Sequence, residues 1–211
     1  MISKEHNCIF IHIPRTGGTS IENMIWPMTE RTEENLWMGF IRPFHNKYQT
    51  GGLQHLLASQ VKYEVGSEVF DRFYKFSVVR NPWDKAVSQF RCMSAKINGL
   101  REFIGMKSDD TFETYLELVS RKNYVQWEQQ AKFIFNNDGK QLVDKIIRFE
   151  NFEDDVGAIM DRLNLPMQKI LHLNKDSRDH YSRYYNDRTR SRVAELYSDD
   201  IERFDYKFER A

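Results

Sequence analysis

The chain has 211 residues, 40% of them hydrophobic and 29% charged, with 31 basic and 31 acidic side chains that cancel. That length supports one domain with its own core, read as 1–211, and a balanced charge excludes bulk attraction to nucleic acid or an anionic membrane, so any anion must be held by local arrangement. Two cysteines, Cys8 and Cys92, cannot form a disulfide framework and read as packed free thiols, and no repeat or low-complexity segment is found.

The first seven residues are largely polar, and the apolar run that begins at Cys8 breaks at Pro14. That run is too short for a secretory signal or a membrane span, which favours a soluble cytoplasmic protein, although an excised catalytic domain would look the same. Ile9–Ile13 reads as a buried strand, with His12 inside it as a hydrogen-bonded core residue. The turn Pro14-Arg15-Thr16-Gly17-Gly18 follows, and Thr19 and Ser20 open a helix predicted to run to Trp26. Glycines at such a turn admit close approach of backbone N–H groups, and a helix start adds unpaired donors and a positive dipole end, which together suit a phosphate or sulfate.

The stretch from Met28 to Gly52 lacks clear periodicity and carries Trp37, Phe40, Phe44 and Tyr48. It reads either as an acceptor-binding surface or as aromatics packed on the core. A second strand, Lys75–Val79, delivers Arg80 at its carboxyl end, and Pro82 opens a helix predicted to reach Lys96, with Ser88 two turns in. A planar guanidinium and a hydroxyl can grip a phosphate, although Arg80 could instead pair with Asp84 one turn on. Trp83 is expected to pack this helix onto the sheet, with adenine stacking as the lesser reading.

Ser108 or Asp109 is expected to cap a helix running to about Ser120. Lys145–Phe149 reads as a third strand, and Phe152, Val156, Ile159, Met160 and Leu163 form a helical stripe ending before Pro166. Short apolar strands alternating with longer amphipathic segments predict an α/β domain whose central sheet is mainly parallel and flanked by helices.

The pair formed by Pro14–Ser20 and by Arg80 with Ser88 resembles the two cofactor signatures of sulfotransferases that use 3'-phosphoadenosine 5'-phosphosulfate (PAPS). The resemblance extends to Gly52-Leu53-Gln54-His55, to 144–151 and to 171–206, and is nearest to the family-2 branch of glycan-directed and bacterial enzymes. It implies the phosphate-loop sulfotransferase fold, with the 5'-phosphosulfate at Pro14, Arg15, Thr16, Gly17, Gly18, Thr19 and Ser20. The 3'-phosphate is then expected at Arg80 and Ser88, completed by Lys175, Ser177 and Arg178. The resemblance further implies His55 as general base, Gln130 near the acceptor, no metal requirement, and a carbohydrate hydroxyl as the leading acceptor. The position of Arg15 is lysine in most of the family. An arginine there can stabilise a leaving phosphate oxygen but cannot readily donate a proton to it.

Arg183 to Arg192 mixes arginines with Tyr184, Tyr185 and Asp187, which favours a solvated helix face or a rim for an anionic acceptor over nucleic-acid contact. Two other functions compete with sulfuryl transfer. A nucleotide-dependent kinase would require a lysine before the loop hydroxyl, and Gly18-Thr19-Ser20 has none. A catalytically inactive nucleotide-binding module is raised by Arg15 itself, and His55 speaks against it.

Overall fold

The computed structural model describes residues 1–26, 53–95, 99–166 and 179–211. In chain order the elements are β1 (Ile2–Ser3), β2 (Cys8–Ile11), α1 (Gly18–Ile25), α2 (Ala58–Val65), α3 (Ser67–Arg72), β3 (Tyr74–Val79), α4 (Pro82–Ala95) and α5 (Gly99–Ile104). They continue with α6 (Phe112–Ser120), α7 (Gln130–Ile134), β4 (Lys145–Arg148), α8 (Phe152–Arg162), α9 (Asp187–Leu196) and α10 (Ser198–Phe204). Contacts gather them into two compact units, 1–79 with 130–175 and 80–129 with 176–211.

The first unit holds the sheet, which has four strands among the described residues in the order β1-β2-β3-β4. β1 runs antiparallel to β2, whereas β2 with β3 and β3 with β4 are parallel, so the expectation of a mainly parallel sheet holds. Every residue of β2 is buried, the pattern of a parallel strand covered on both faces rather than an alternating one. Phe10, Phe76, Val78 and Ile147 from the strands form one core with Ile21, Met24 and Ile25 of α1 and Val156, Ile159 and Met160 of α8. Cys8 lies in the same core, and burial pushes its thiol up to about 12, which keeps it protonated and inert.

Register at the β3–β4 edge is fixed by Asp144. Its backbone N–H donates to Lys75 O at 2.7 Å, and its carboxylate receives the Lys75 N–H at 2.7 Å and the Lys75 ammonium at 2.9 Å. At the other edge, the Trp26 indole N–H donates to Ile2 O at 3.1 Å and ties the end of α1 to β1.

The second unit is helical. Asn81 Oδ1 accepts the Trp83 N–H and caps α4, while the Asn81 amide donates to Lys207 O at 2.9 Å. Within this unit Trp83 meets the C-terminal segment. Its indole N–H donates to Arg190 O and its ring meets Phe208 edge-on, so the C-terminal segment, distant in sequence, supplies its neighbours. The helix expected from Ser108 or Asp109 begins later, with Thr111 as its cap. Asp110 Oδ2 receives the Lys107 N–H and closes the preceding turn, leaving Thr111 Oγ1 to accept from Thr114.

Candidate active site

The loop after β2 is a strand-to-helix turn held from within. Thr16 is completely buried and its hydroxyl donates to Ile13 O at 2.9 Å, so its side chain shapes the turn. Arg15 sits at φ 66° and Gly17 at φ 85°, both in the left-handed region. For a residue with a Cβ this costs on the order of 1 kcal/mol or more, and such outliers gather at functional sites. Gly17 is the N-cap of α1 and supplies no side-chain cap, and the Ser20 N–H donates to Gly17 O at 3.0 Å, closing the first turn. Thr19 is exposed there and Ser20 half-buried.

The two glycines are demanded by packing as much as by ligand approach. A Cβ on Gly17 would lie 2.9 Å from the Phe152 ring and 3.0 Å from Phe149, and one on Gly18 would lie 2.3 Å from His12 Cδ2. From sequence alone both glycines answer to an incoming anion, whereas the nearest neighbours of a Cβ at either are side chains of the chain itself.

His55 closes the short 3-10 turn Leu53–His55 and is 4% exposed. Its Nδ1 lies 3.1 Å from the carbonyl oxygen of His12, and its Nε2 lies 3.1 Å from the Gln54 amide nitrogen. A carbonyl can only accept and an amide N–H can only donate. In the neutral ring the proton is therefore on Nδ1, and Nε2 carries the lone pair. The carboxamide oxygen of Gln54 is buried without a hydrogen-bond partner among the described residues. His12 is buried as expected, one residue beyond the end of β2, with its Nδ1 2.6 Å from Glu22 Oε1.

Glu22 was not singled out by the sequence reading. The available signal was that it is the one charged residue in Gly18–Ile25, among Ile21, Met24 and Ile25 that face the core.

In the second unit Arg80 directly precedes the capped start of α4 and is 7% exposed, as is Ser88 within the helix. Arg80 Nε donates to Asp84 Oδ2 at 2.7 Å, so the ion pair weighed from sequence is present and fixes one edge of the guanidinium. The arginine-rich segment is largely paired: Arg188 reaches Glu113 at 2.8 Å, Arg183 reaches Asp179 at 3.2 Å and Arg192 reaches Glu195 at 3.4 Å. An open cavity of about 520 Å³ in this unit is bordered by Arg183, Tyr185, Arg190, Phe208 and Arg210. Gln130, in the first unit, is completely buried at the start of α7. Lys175, Ser177, Arg178 and the 28–52 stretch lie outside the described residues.

Among the described residues no helix is long and apolar enough to cross a membrane. No solved structure matches the chain. An uncharacterized protein of Archaeoglobus fulgidus is 27% identical over 128 residues, covering 59% of this chain and 95% of that protein. The profile of the sulfotransferase family matches residues 1–207. With a strand, a glycine turn and a helix start at 8–25 and a match over nearly its whole length, the chain belongs to the sulfotransferase family.

Proposed function

We propose that the protein transfers a sulfuryl group from PAPS to an acceptor hydroxyl, with a carbohydrate as the leading acceptor class. The observation that carries this reading is the fixed tautomer of His55. Its Nδ1–H is committed to the His12 carbonyl, which leaves Nε2, facing the Gln54 amide, as the basic nitrogen.

Bound PAPS would supply an activated sulfuryl group on a phosphosulfate anhydride. The loop Pro14–Ser20 would hold the 5' end, with backbone N–H groups of the turn and helix start as donors and Arg15 as the fixed positive charge. Arg80 and Ser88 would hold the 3'-phosphate, joined by Lys175, Ser177 and Arg178. Support for Arg80 is its burial and the Asp84 contact that sets its orientation.

His55 Nε2 takes the proton of the attacking hydroxyl. The Gln54 amide now on that nitrogen turns aside, and the unpartnered Gln54 oxygen offers the incoming hydroxyl region an acceptor. Arg15 stabilises charge growing on the leaving phosphate oxygen without giving up a proton. Gln130, buried at the start of α7, would stand on the acceptor side, as the resemblance implies.

The test is transfer of radiolabelled sulfate from PAPS to a panel of saccharide, phenol and lipid hydroxyls by the wild-type chain and by His55→Ala. The reading expects turnover on at least one panel member and a loss of about 10²-fold or more in the variant, the scale of general-base removal. Equal turnover by His55→Ala overturns the assignment of the base. Transfer from ATP instead overturns the reaction class.

A further inference from the structure

Glu22 places a carboxylate inside the first unit. Its Oε1 lies 2.6 Å from His12 Nδ1, and the two side chains are 2% and 5% exposed. A carboxylate in so dry a place requires a partner that carries a proton or a charge to it, so the pair behaves as one unit. Glu22 therefore fixes the azimuth of the His12 ring.

His12 in turn touches the two parts of the proposed site with different atoms. Its ring lies against Gly18, close enough that a Cβ there would sit 2.4 Å from Nε2, and it meets the His55 ring edge-on at a centroid separation of 4.7 Å. Its carbonyl oxygen receives the His55 Nδ1–H. His12 also lies one residue beyond the last register pair of β2, where the strand gives way to the turn.

We infer that Glu22 and His12 are positioning residues for the transfer reaction. The Glu22 carboxylate pins the His12 ring as a spacer between the Gly18 turn and His55, and so keeps the His12 carbonyl aimed at His55 Nδ1 and the basic lone pair on Nε2. This rests on the reading of His55 as the base. An ionised carboxylate can only accept, so it fixes the proton on His12 Nδ1, whereas an amide at position 22 can also donate and leaves the His12 tautomer and ring unfixed.

The test is imidazole nitrogen NMR of the full chain, wild type and Glu22→Gln, with steady-state kinetics on the same samples. In the wild type, His55 is expected as the Nδ1–H tautomer, and His12 as protonated at Nδ1. In Glu22→Gln the His55 signals shift toward a mixture of tautomers, and kcat falls about tenfold or more, while the affinity for adenosine 3',5'-bisphosphate stays within about twofold, as expected for loss of an orienting partner. Unchanged His55 signals and kcat in Glu22→Gln overturn the inference, as does a fall in bisphosphate affinity equal to the fall in kcat. A wild-type His55 found as the Nε2–H tautomer overturns it without any variant. If the wild type transfers no sulfate, the functional reading fails by itself, and a residue-22-dependent tautomer still upholds the coupling of Glu22 to His55.

Discussion

Gly18 and His12 compete for the same space: a Cβ on residue 18 would come 2.3 Å from His12 Cδ2 and 2.9 Å from Cγ. The obstacle is a ring pinned by Glu22 rather than the free end of a flexible chain, so it cannot move aside cheaply. Gly18→Ala should therefore destabilise by about 1–3 kcal/mol, the usual cost of overpacking. At this chain length that lowers the melting temperature by roughly 2–12 °C. A circular-dichroism melt of the variant indistinguishable from wild type would show that the His12 ring is not held.

Arg15 adopts φ 66°, a conformation that glycine takes without strain. Replacing it with glycine exchanges the strain for a larger unfolded-state entropy, two effects of about 1 kcal/mol that nearly cancel. Stability of Arg15→Gly should thus stay within about 1 kcal/mol of wild type, while sulfate transfer falls by about 10² or more if the proposed role of its charge at the leaving oxygen holds. Arg15→Lys should retain most of the transfer. Chemical denaturation and initial rates on the same preparations separate the two effects, and a fully active glycine variant would remove Arg15 from the mechanism.

The Arg80–Asp84 pair predicts two unequal losses. Arg80→Ala should weaken adenosine 3',5'-bisphosphate binding by about 1.5–3 kcal/mol, the scale of a charge-assisted hydrogen bond. Asp84→Asn keeps an acceptor for Nε and should weaken it less. Equal affinities for wild type and Arg80→Ala, measured by titration calorimetry, would remove the 3'-phosphate from this residue.

Burial raises the phenols of Tyr197 and Tyr185, and at Tyr197 the carboxylates of Asp200 and Glu128 add to it. Their folded-state values lie above the ordinary value of 10.0, so above pH 10 the unfolded chain releases protons that the folded chain keeps. The stabilisation from these neutral phenols is complete below pH 10 and is lost as pH rises from there through the folded values. Urea midpoints should begin to fall near pH 9, where the buried Cys8 thiol adds the same effect from its ordinary value of 9.0, and fall further at pH 11. Tyr197→Phe should flatten that fall, and an unflattened profile would place the alkaline sensitivity elsewhere.

The sequence made the parallel strands, α1, α4 and α8 legible, because each couples an apolar run of the right period to a proline, glycine or asparagine at its end. β1 escaped because two residues carry no period, and Thr111 escaped as a cap because Ser108 and Asp109, residues of equally good cap type, precede it while Asp110 closes the intervening turn. In the candidate site, the glycine turn and the burial of His12 were readable from local pattern. The Glu22–His12 contact was not, since it depends on α1 turning its single charge toward the core, and neither was the packing of Trp83 on Phe208 and on the backbone of Arg190. What sequence shows poorly is which of two chemically adequate partners a side chain takes, as with Arg80, whose pairing with Asp84 and proposed grip on a phosphate use the same guanidinium.

The central claim is that this chain holds a 3',5'-bisphosphorylated adenosine, and titration calorimetry with that nucleotide, against ATP with and without Mg²⁺, tests it most directly. The account predicts micromolar binding of the bisphosphate that is independent of metal and lost in Arg80→Ala. Preference for Mg-ATP, or binding of neither nucleotide, would contradict it.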